Sequence, residues 1–392
     1  AKAKEKKKSM KKIVLSVLFF SLVLTFIACD SKPKLRILNW GEYINDEVVE
    51  KFENEFGIDV VISVAESNEL FYSKIKSQTT AFDLVIPSDY MIEKMADEDM
   101  LIELDYNLLP AFSNVNYMDG VEQIFTSMNA TTLTRTGVDV DYKNYAVPYF
   151  WGTFGIVYNN RVDGLKEALE ENGWEVYFQA DEYFPEARRG MYDVPQFAYA
   201  AAMMYQDNNP NSFNQTFLNE VEQAITGADF IEWGTDTLKK NVEANNLDMA
   251  FVYTGDYLDR LYIQLDTGKT IDEVRTDFDL YIPSTTMVFV DAMVIPNTAT
   301  NISGAHQFIN FLLDPNNAAL NAEVVGYAVA TEEAFDIILG EMDSEDAWQR
   351  NWAIANSIYY DMEVQRTYYP LTTLNPDDID SINTMIQNVK TK

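Results

Sequence analysis

Cysteine and histidine are almost missing from this chain of 392 residues, which holds one Cys, Cys29, and one His, His306. A single Cys excludes an intramolecular disulfide, and no Cys after residue 29 can serve as a thiolate nucleophile or zinc ligand. The lone His lies in an amphipathic helix pattern, which disfavours Ser-His-Asp chemistry and a histidine zinc centre. We therefore expect no metal site, no cofactor and no catalytic residue.

Basic residues are also scarce, since 29 Lys and Arg stand against 62 Asp and Glu. Residues 1–28 hold seven of the Lys and one of the Glu, so the rest of the chain carries 22 basic and 61 acidic residues and a formal net charge of −39. Such a chain repels nucleic acid and attracts cations. Most of these carboxylates belong to solvated surface, so net charge alone identifies no ligand.

The N-terminal residues have a different character from the rest of the chain. Residues 1–12 are rich in Lys, residues 13–28 carry no charge, and Cys29 follows Ala28. This pattern predicts that residues 1–28 are an export signal, because the apolar stretch is short for a membrane span. Met10 fits a native start, which would make residues 1–9 non-native.

The junction before Cys29 resembles the lipobox of bacterial lipoproteins. That resemblance implies that Cys29 carries a lipid and anchors an exported protein to the periplasmic or outer face of a membrane. A plain signal peptide that happens to end near a Cys is the alternative interpretation.

The rest of the chain is long enough to favour two lobes over one core. Residues 35–105 alternate between strand and helix patterns, with Asn45 as the N-cap of the first helix. Helices between short β-branched runs predict parallel βαβ units and an α/β sheet. Strands are predicted at 35–40, 58–64, 82–88, 145–159 and 287–296, and residues 247–261 predict a strand, a turn at YTGD and a helix.

Residues at the ends of the predicted strands share one chemistry, since almost all are aromatic or acidic and none is basic. In α/β sheets, ligands bind beyond the carboxyl ends of the strands. Gly41 is expected to let the backbone approach a ligand closely. The set comprises Trp40, Glu42, Tyr43, Ser88, Tyr90, Tyr253, Asp256, Phe289, Asp291 and Tyr327.

Aromatic rings combined with carboxylates suit an organic cation. Ring faces attract a cation by roughly 0.5–2 kcal/mol each, and carboxylates form charge-assisted hydrogen bonds with ammonium groups. The set lacks an Arg to bind an α-carboxylate, which favours polyamines over amino acids. Asp291 is the most informative member, because a carboxylate between the apolar segments VFV and AMVIP needs a partner.

Several stretches together resemble the bacterial spermidine/putrescine-binding proteins, the extracytoplasmic receptors of ABC polyamine importers. These stretches include LRILNWGEYI, FDLVIPSDYMIEKM, VPYFWGTFGIVYN, VYTGD and FVDAMVIP, and they extend from about residue 35 to about residue 330. The resemblance implies a two-lobed α/β fold of the type II periplasmic-binding-protein class, with a ligand cleft between lobes joined by β-strand hinges. It also implies a non-enzymatic monomer that delivers its ligand to a permease.

Further site residues and the lobe boundaries rest on this resemblance. It implies that Asp193 binds an amine, that Gln196 replaces a more usual Glu, and that Gln365 matches a C-terminal Gln contact. Asp256 and Phe289 resemble putrescine-preferring members, whereas Glu42, Tyr90 and Asp193 resemble spermidine-preferring ones. Lobe 1 is expected to comprise residues 29–143 and 290–336, and lobe 2 residues 144–289 and 337–392.

Two other interpretations remain open at this point. The same receptor fold could bind another organic cation, or a ferric ion held by tyrosines. A member of a different class, a secreted glycosidase with a carboxylate pair, would also have an aromatic-lined cleft.

Overall fold

The computed structural model describes residues 32–360, 366–372 and 374–391. Its strands are β1 Lys34–Asn39, β2 Asp59–Val64, β3 Leu84–Val85, β4 Ala146–Asn159, β5 Arg189–Tyr192, β6 Glu232–Gly234, β7 Met249–Tyr253, β8 Phe278–Tyr281, β9 Thr285–Val294, β10 Ala328–Val329 and β11 Thr367–Pro370. Strand order is β2-β1-β3-β9-β4-β7-β5-β6, with β8 and β10 paired to β4 and β11 paired to β9.

Helices connect and cover these strands. The α-helices are α1 Asp46–Phe56, α2 Asn68–Ser77, α3 Asp89–Asp97, α4 Asp119–Thr136, α5 Leu165–Asn172, α6 Trp174–Phe178, α7 Ala180–Tyr183, α8 Pro195–Tyr205, α9 Gln215–Ala228, α10 Asp236–Glu243, α11 Thr254–Asp266, α12 Ile271–Arg275, α13 Ile302–Leu312, α14 Pro315–Ala322, α15 Glu332–Gly340, α16 Ala347–Tyr359 and α17 Pro376–Lys390. Short 3-10 turns lie at Tyr106–Leu108, Pro110–Asn114, Tyr142–Asn144 and Glu341–Asp343.

The first βαβ units form as the periodicity predicts. β1 pairs in parallel with β2 and with β3. The side chain of Asn45 accepts a hydrogen bond from the backbone of Glu47 and caps α1, which ends at Gly57 in a left-handed conformation. The third strand is shorter than predicted, because only Leu84 and Val85 pair in the sheet.

A second parallel group forms around β5, which pairs with β6 and β7. The carboxyl end of β7 continues directly into α11, so the predicted YTGD turn is wrong: Thr254, Gly255 and Asp256 form the first turn of that helix. Side chains that follow β5 and β7 therefore project at one edge of the sheet, as expected for parallel strands.

Two long antiparallel strands connect the β1 group with the β5 group. β4 pairs with β9 from Ala146 to Thr153, and its second half pairs with β7 and β8. Every residue of β4 is buried. Because β9 pairs with β3 on one side and β4 pairs with β7 on the other, these two strands hold the two groups together.

Alternation along β9 separates the core from the site. Val288, Val290, Ala292 and Val294 belong to one core cluster, which also contains the apolar face of α4. Phe289 and Asp291 point to the opposite face of the strand. The predicted lobe boundary at 336/337 falls inside α15, so a boundary there would divide a helix.

Among the described residues, none of the helices combines the length and the apolar character that crossing a bilayer requires.

Candidate functional site

Asp291 is a buried carboxylate held by two hydroxyl groups. Its exposed fraction is 5%. The hydroxyl of Tyr43 donates to Oδ2 at 2.6 Å, and that of Ser88 donates to Oδ1 at 2.6 Å. The structure thus brings together three predicted site residues from three separate stretches, and it confirms that Asp291 has the partners that its apolar surroundings require.

The ionisation of this carboxyl group reflects opposing effects. Burial raises the pKa of Asp291 to about 6, while the hydrogen bonds from Ser88 and Tyr43 act to lower it. Burial and the adjacent Asp291 carboxylate raise the pKa of Tyr43, so its hydroxyl remains protonated and able to donate. At neutral pH, Asp291 is therefore a buried anion whose donors are uncharged.

Asn68 orients the hydroxyl of Ser88. Its side-chain oxygen accepts from the Ser88 backbone nitrogen at 3.0 Å, and its amide donates to Ser88 Oγ at 3.0 Å. The neighbouring Asp89 is buried at the start of α3, and burial raises its pKa to about 8. Asp89 is thus mostly protonated at neutral pH, which leaves Asp291 as the charged member of this pair.

Four aromatic rings pack beside Asp291 in edge-to-face contacts. The ring centroid of Tyr327 lies 5.7 Å from that of Tyr43, 5.5 Å from that of Phe289 and 6.4 Å from that of Tyr253. Tyr253 and Phe289 are 5.2 Å apart. We call Tyr43, Tyr253, Phe289 and Tyr327 the four-ring cluster.

Two glycines make room for this cluster. A Cβ atom at Gly152 would lie 3.0 Å from the ring of Phe289 and 3.1 Å from that of Tyr327. A Cβ atom at Gly255 would overlap the Tyr327 ring. Tyr327 therefore packs directly on the backbone of both β4 and α11, and larger residues at these positions would displace it.

The turn after β1 differs from the expectation in one detail. Glu42, which is exposed, adopts a left-handed conformation with φ 52°. A Cβ atom at Gly41 would lie 3.7 Å from Val64, which is an ordinary contact, so sterics do not require glycine at position 41. Trp40 is half-buried, packs 4.7 Å from Phe71 and donates from its indole nitrogen to the carbonyl of Ile86 at 2.8 Å.

Asp256 is already paired within the protein. Lys239 Nζ lies 2.9 Å from Asp256 Oδ1, and the exposed fractions of the two residues are 7% and 8%. Burial raises the pKa of Asp256, and the Lys239 ammonium group opposes that shift. For Lys239, burial acts to lower the pKa, but Asp256 and two further carboxylates outweigh it and raise the pKa.

The remaining predicted residues lie at the edges of this region. Asp193 is exposed after β5 and pairs with Lys390 from α17. Gln196 donates to the carbonyl of Thr372 at 3.3 Å. The hydroxyl of Tyr90 donates to Glu69 at 3.4 Å. Cys29 and Gln365 lie outside the described residues.

Several residues near the site were not selected from the sequence. Phe154 packs 4.1 Å from Tyr253, and Tyr192 lies 5.4 Å from the same ring. The hydroxyl of Tyr149 donates to the carbonyl of Tyr43 at 2.7 Å. Tyr192 is the last residue of β5, so the rule that selected the other strand-end aromatics applies to it equally. Asn68 and Asp89 carry no comparable signal.

The part of the chain that the structure describes contains no cluster of three or more His, Cys, Asp or Glu side chains that could hold a metal ion. His306 is buried in α13, where Nε2 accepts from the backbone of Asp105 at 2.9 Å. This His is a core residue.

Residues 47–356 match the family of bacterial extracellular solute-binding proteins. The chain belongs to this family, which defines its class as a binding protein for solutes outside the cytoplasm.

Within this family, the chain is similar to polyamine-binding proteins of known name. The chain is 30% identical over 348 residues to the spermidine/putrescine-binding periplasmic protein of Escherichia coli K12, covering 84% of this chain and 90% of the relative. It is 28% identical over 339 residues to the putrescine-binding periplasmic protein PotF of the same organism, covering 81% and 82%.

A solved structure agrees with the sequence relatives. The spermidine/putrescine ABC transporter substrate-binding protein PotD of Streptococcus pneumoniae is similar with a TM-score of 0.71 and 26% identity, covering 92% of this chain and 99% of that one. These findings confirm the family resemblance and the two-lobed α/β fold that the sequence predicts.

Proposed function

We propose that this protein is the extracytoplasmic receptor of an ABC importer and that its ligand is a polyamine, spermidine or putrescine. The observation that carries the proposal is the buried carboxylate of Asp291, whose two donors, Tyr43 and Ser88, are uncharged hydroxyl groups. A buried anion without a cationic partner attracts an ammonium group strongly. The names of the relatives support the same ligand class.

The four-ring cluster suits the rest of a polyamine. Neighbouring rings of the cluster have centroids 5.2 to 6.4 Å apart, and Tyr43 bonds to Asp291, so a ligand ammonium at that carboxylate would have aromatic rings beside it. The methylene groups between two amines would lie against these rings, and each buried CH₂ contributes about 0.8 kcal/mol. Trp40, Glu42, Tyr90, Asp193, Gln196, Asp256 and Gln365 complete the proposed contact set.

Closure of the two lobes around the ligand is expected because the site residues come from both sides of the sheet. Asp291, Ser88 and Tyr43 belong to the β1 side of the sheet, whereas Tyr253 belongs to the β7 side. A ligand that touches both sides stabilises the closed arrangement selectively, and β4 and β9 are the strands that would bend as hinges. The proposed moving bodies are lobe 1 (29–143, 290–336) and lobe 2 (144–289, 337–392), with the last boundary moved beyond Gly340 so that α15 stays whole.

Receptor function implies further properties of the chain. The protein would be exported by residues 1–28, lipidated at Cys29, and would act as a monomer that passes its ligand to permease subunits. It would bind no nucleic acid and catalyse no reaction. The relatives are named as binding proteins, which supports a role in binding over the glycosidase alternative.

A panel of thermal-shift measurements tests the ligand. Putrescine and spermidine should each raise Tm, because free ligand at a hundred times Kd stabilises the folded protein by about 2.7 kcal/mol. Butane-1,4-diol is the matched control, because it keeps the four-carbon chain of putrescine without its charges, and it should have no effect. A shift with ferric ion or another organic cation but with neither polyamine would contradict the proposal. Turnover of a glycoside would favour the enzyme alternative.

A further inference from the structure

Two acidic residues that the sequence assigns to the ligand are paired with lysines of the same chain. Lys239 in α10 binds Asp256 at the start of α11, and Lys390 in α17 binds Asp193 after β5. Both carboxylates lie on the side of the site built by β5 and β7. Among the residues that the structure describes, the carboxylate of Asp291, on the other side, is bound by hydroxyl groups only.

The Lys239–Asp256 pair is the more consequential one, because both side chains are buried. Lys239 Nζ lies 2.9 Å from Oδ1 of Asp256. Oδ2 of the same carboxylate is buried and has no hydrogen-bond partner among the described residues. A buried carboxylate oxygen without a donor is costly, so this atom can accept one further donor.

The carboxylate of Asp256, which has one bonded and one unbonded oxygen, borders the four-ring cluster. Gly255, the residue before Asp256, packs against the ring of Tyr327. Burial and then the Asp256 carboxylate are the main causes that raise the pKa of Tyr327. An ammonium group held at Asp256 Oδ2 would therefore lie next to the cluster, with Lys239 beyond it on the same carboxylate.

We propose that Lys239 is a specificity-determining residue that limits the number of positive charges the site accepts and so favours a diamine over a triamine. Its ammonium group is tethered to the protein and always lies against Asp256, the buried one of its three carboxylate partners. The other two, Asp236 at 3.5 Å and Asp259 at 3.2 Å, are exposed to solvent, which screens them. Each additional ligand charge on this side then meets a carboxylate whose charge is already balanced. This inference rests on the proposed polyamine ligand.

The second lysine provides an internal contrast. Lys390 is partly exposed, pairs with the exposed Asp193 and lies 5.4 Å from the ring centroid of Trp233. Solvent and salt screen such a pair, and a ligand amine could displace it at little cost. We therefore assign the discrimination to Lys239.

Four proteins with different local charge test the inference. The pair Lys239 and Asp256 is neutral in the wild type, negative in Lys239→Met, positive in Asp256→Asn and neutral again in the double variant. Calorimetry at pH 7.5 would measure Kd for putrescine and for spermidine in each protein. The ratio Kd(putrescine)/Kd(spermidine) should rise at least tenfold in Lys239→Met, fall in Asp256→Asn, and return to within threefold of the wild type in the double variant.

Two control variants separate the effect of the Lys239 charge on the Kd ratio from effects of changed structure. Lys239→Arg keeps the charge and should keep the ratio within threefold. Lys240→Met removes an exposed charge from the same helix and should leave the ratio unchanged. If Lys239→Met does not fold, Asp256→Asn and the double variant still provide the comparison between a positive and a neutral pair.

A ratio that stays constant through the charge series, in folded proteins that bind a polyamine, would overturn the role of Lys239 and leave the proposed function intact. A wild-type protein that binds neither polyamine would overturn both.

Discussion

Asp291 and Asp256 are both buried acids at the ends of the site, but their partners within the protein differ in charge. Asp291 receives two hydroxyl donors, from Tyr43 and Ser88, and remains a buried anion at neutral pH. Asp256 receives the ammonium group of Lys239 and is neutralised. The difference teaches that the partner an acidic residue finds within its own protein decides how much negative charge it can offer to a ligand.

Replacement of Asp291 by Asn should have the largest effect on binding. The amide keeps the shape of the side chain but removes the buried negative charge, so we expect a loss of about 3 kcal/mol, or more than a hundredfold in Kd for putrescine. Calorimetry measures this directly. Asp193→Asn removes the charge of another proposed contact for comparison, and it should cost less than about fivefold because Lys390 already balances that exposed acid. A larger loss of affinity in Asp193→Asn than in Asp291→Asn would contradict this account of the two acids.

The two lysines should differ in their contribution to stability. Lys239→Met leaves Asp256 buried without its partner, so the free energy of unfolding should fall by about 3 kcal/mol. Lys390→Met breaks a partly exposed pair and should cost about 1 kcal/mol or less. Urea denaturation measures both, with Lys240→Met as the surface control. Equal losses for Lys239→Met and Lys390→Met would show that burial does not distinguish the two pairs.

Binding should weaken at acidic pH because of Asp291. Its pKa of about 6 lies above the usual value for Asp, and a ligand ammonium favours the ionised form. Affinity should therefore fall by up to about tenfold per pH unit below 6, whereas ionisation of Asp89, whose pKa is about 8, adds a separate dependence above pH 7. The same raised pKa means that Asp291 contributes stability to the unliganded protein at low pH, and this contribution is lost as pH rises through 6.

The pH dependence can be followed by calorimetry in wild type and Asp291→Asn. The variant should lack the decline near pH 6, although its affinity is low throughout. An unchanged decline in the variant would assign the titration to another group.

Replacement of Tyr43 by Phe should have a smaller effect with a distinctive signature. The ring stays in the four-ring cluster, but Asp291 loses one donor that lowers its pKa. We expect a loss of roughly 1 kcal/mol in affinity at pH 7 and a shift of the binding decline to higher pH. Tyr145→Phe removes a surface hydroxyl that bonds to Glu103 and should change neither quantity. A weaker affinity without a pH shift would contradict this role.

Much of the first side of the site could be predicted from the sequence. Alternation of apolar runs with amphipathic segments predicts β1, α1 and β2, and the cap at Asn45 forms as expected. Asp291 could be selected because its apolar neighbours bury it, which is a local property of the chain. The sequence shows that Asp291 needs a partner. It does not show which residue that partner is, because Tyr43 lies 248 positions away in the chain.

The second side could not be predicted in the same way. Lys239 lies 17 residues before Asp256, on a different helix, and Lys390 lies 197 residues after Asp193. Both lysines are in amphipathic helix patterns, where a charged residue ordinarily faces solvent. Tertiary packing turns them toward the acids, and no spacing rule indicates this. Tyr192 escapes prediction for a different reason: the sequence predicts no strand at residues 189–192, so Tyr192 is not recognised as a strand-end aromatic.

The most direct test of the ligand role of Asp291 is proton release on binding. At pH 6 about half of the Asp291 carboxyl groups are protonated in the free protein, and a bound ammonium group should drive them to the ionised form. Titration with putrescine at pH 6 in two buffers of different ionisation enthalpy should therefore show release of about half a proton per ligand, and Asp291→Asn should show none. Tight putrescine binding without proton release, or equal release from Asp291→Asn, would contradict the account.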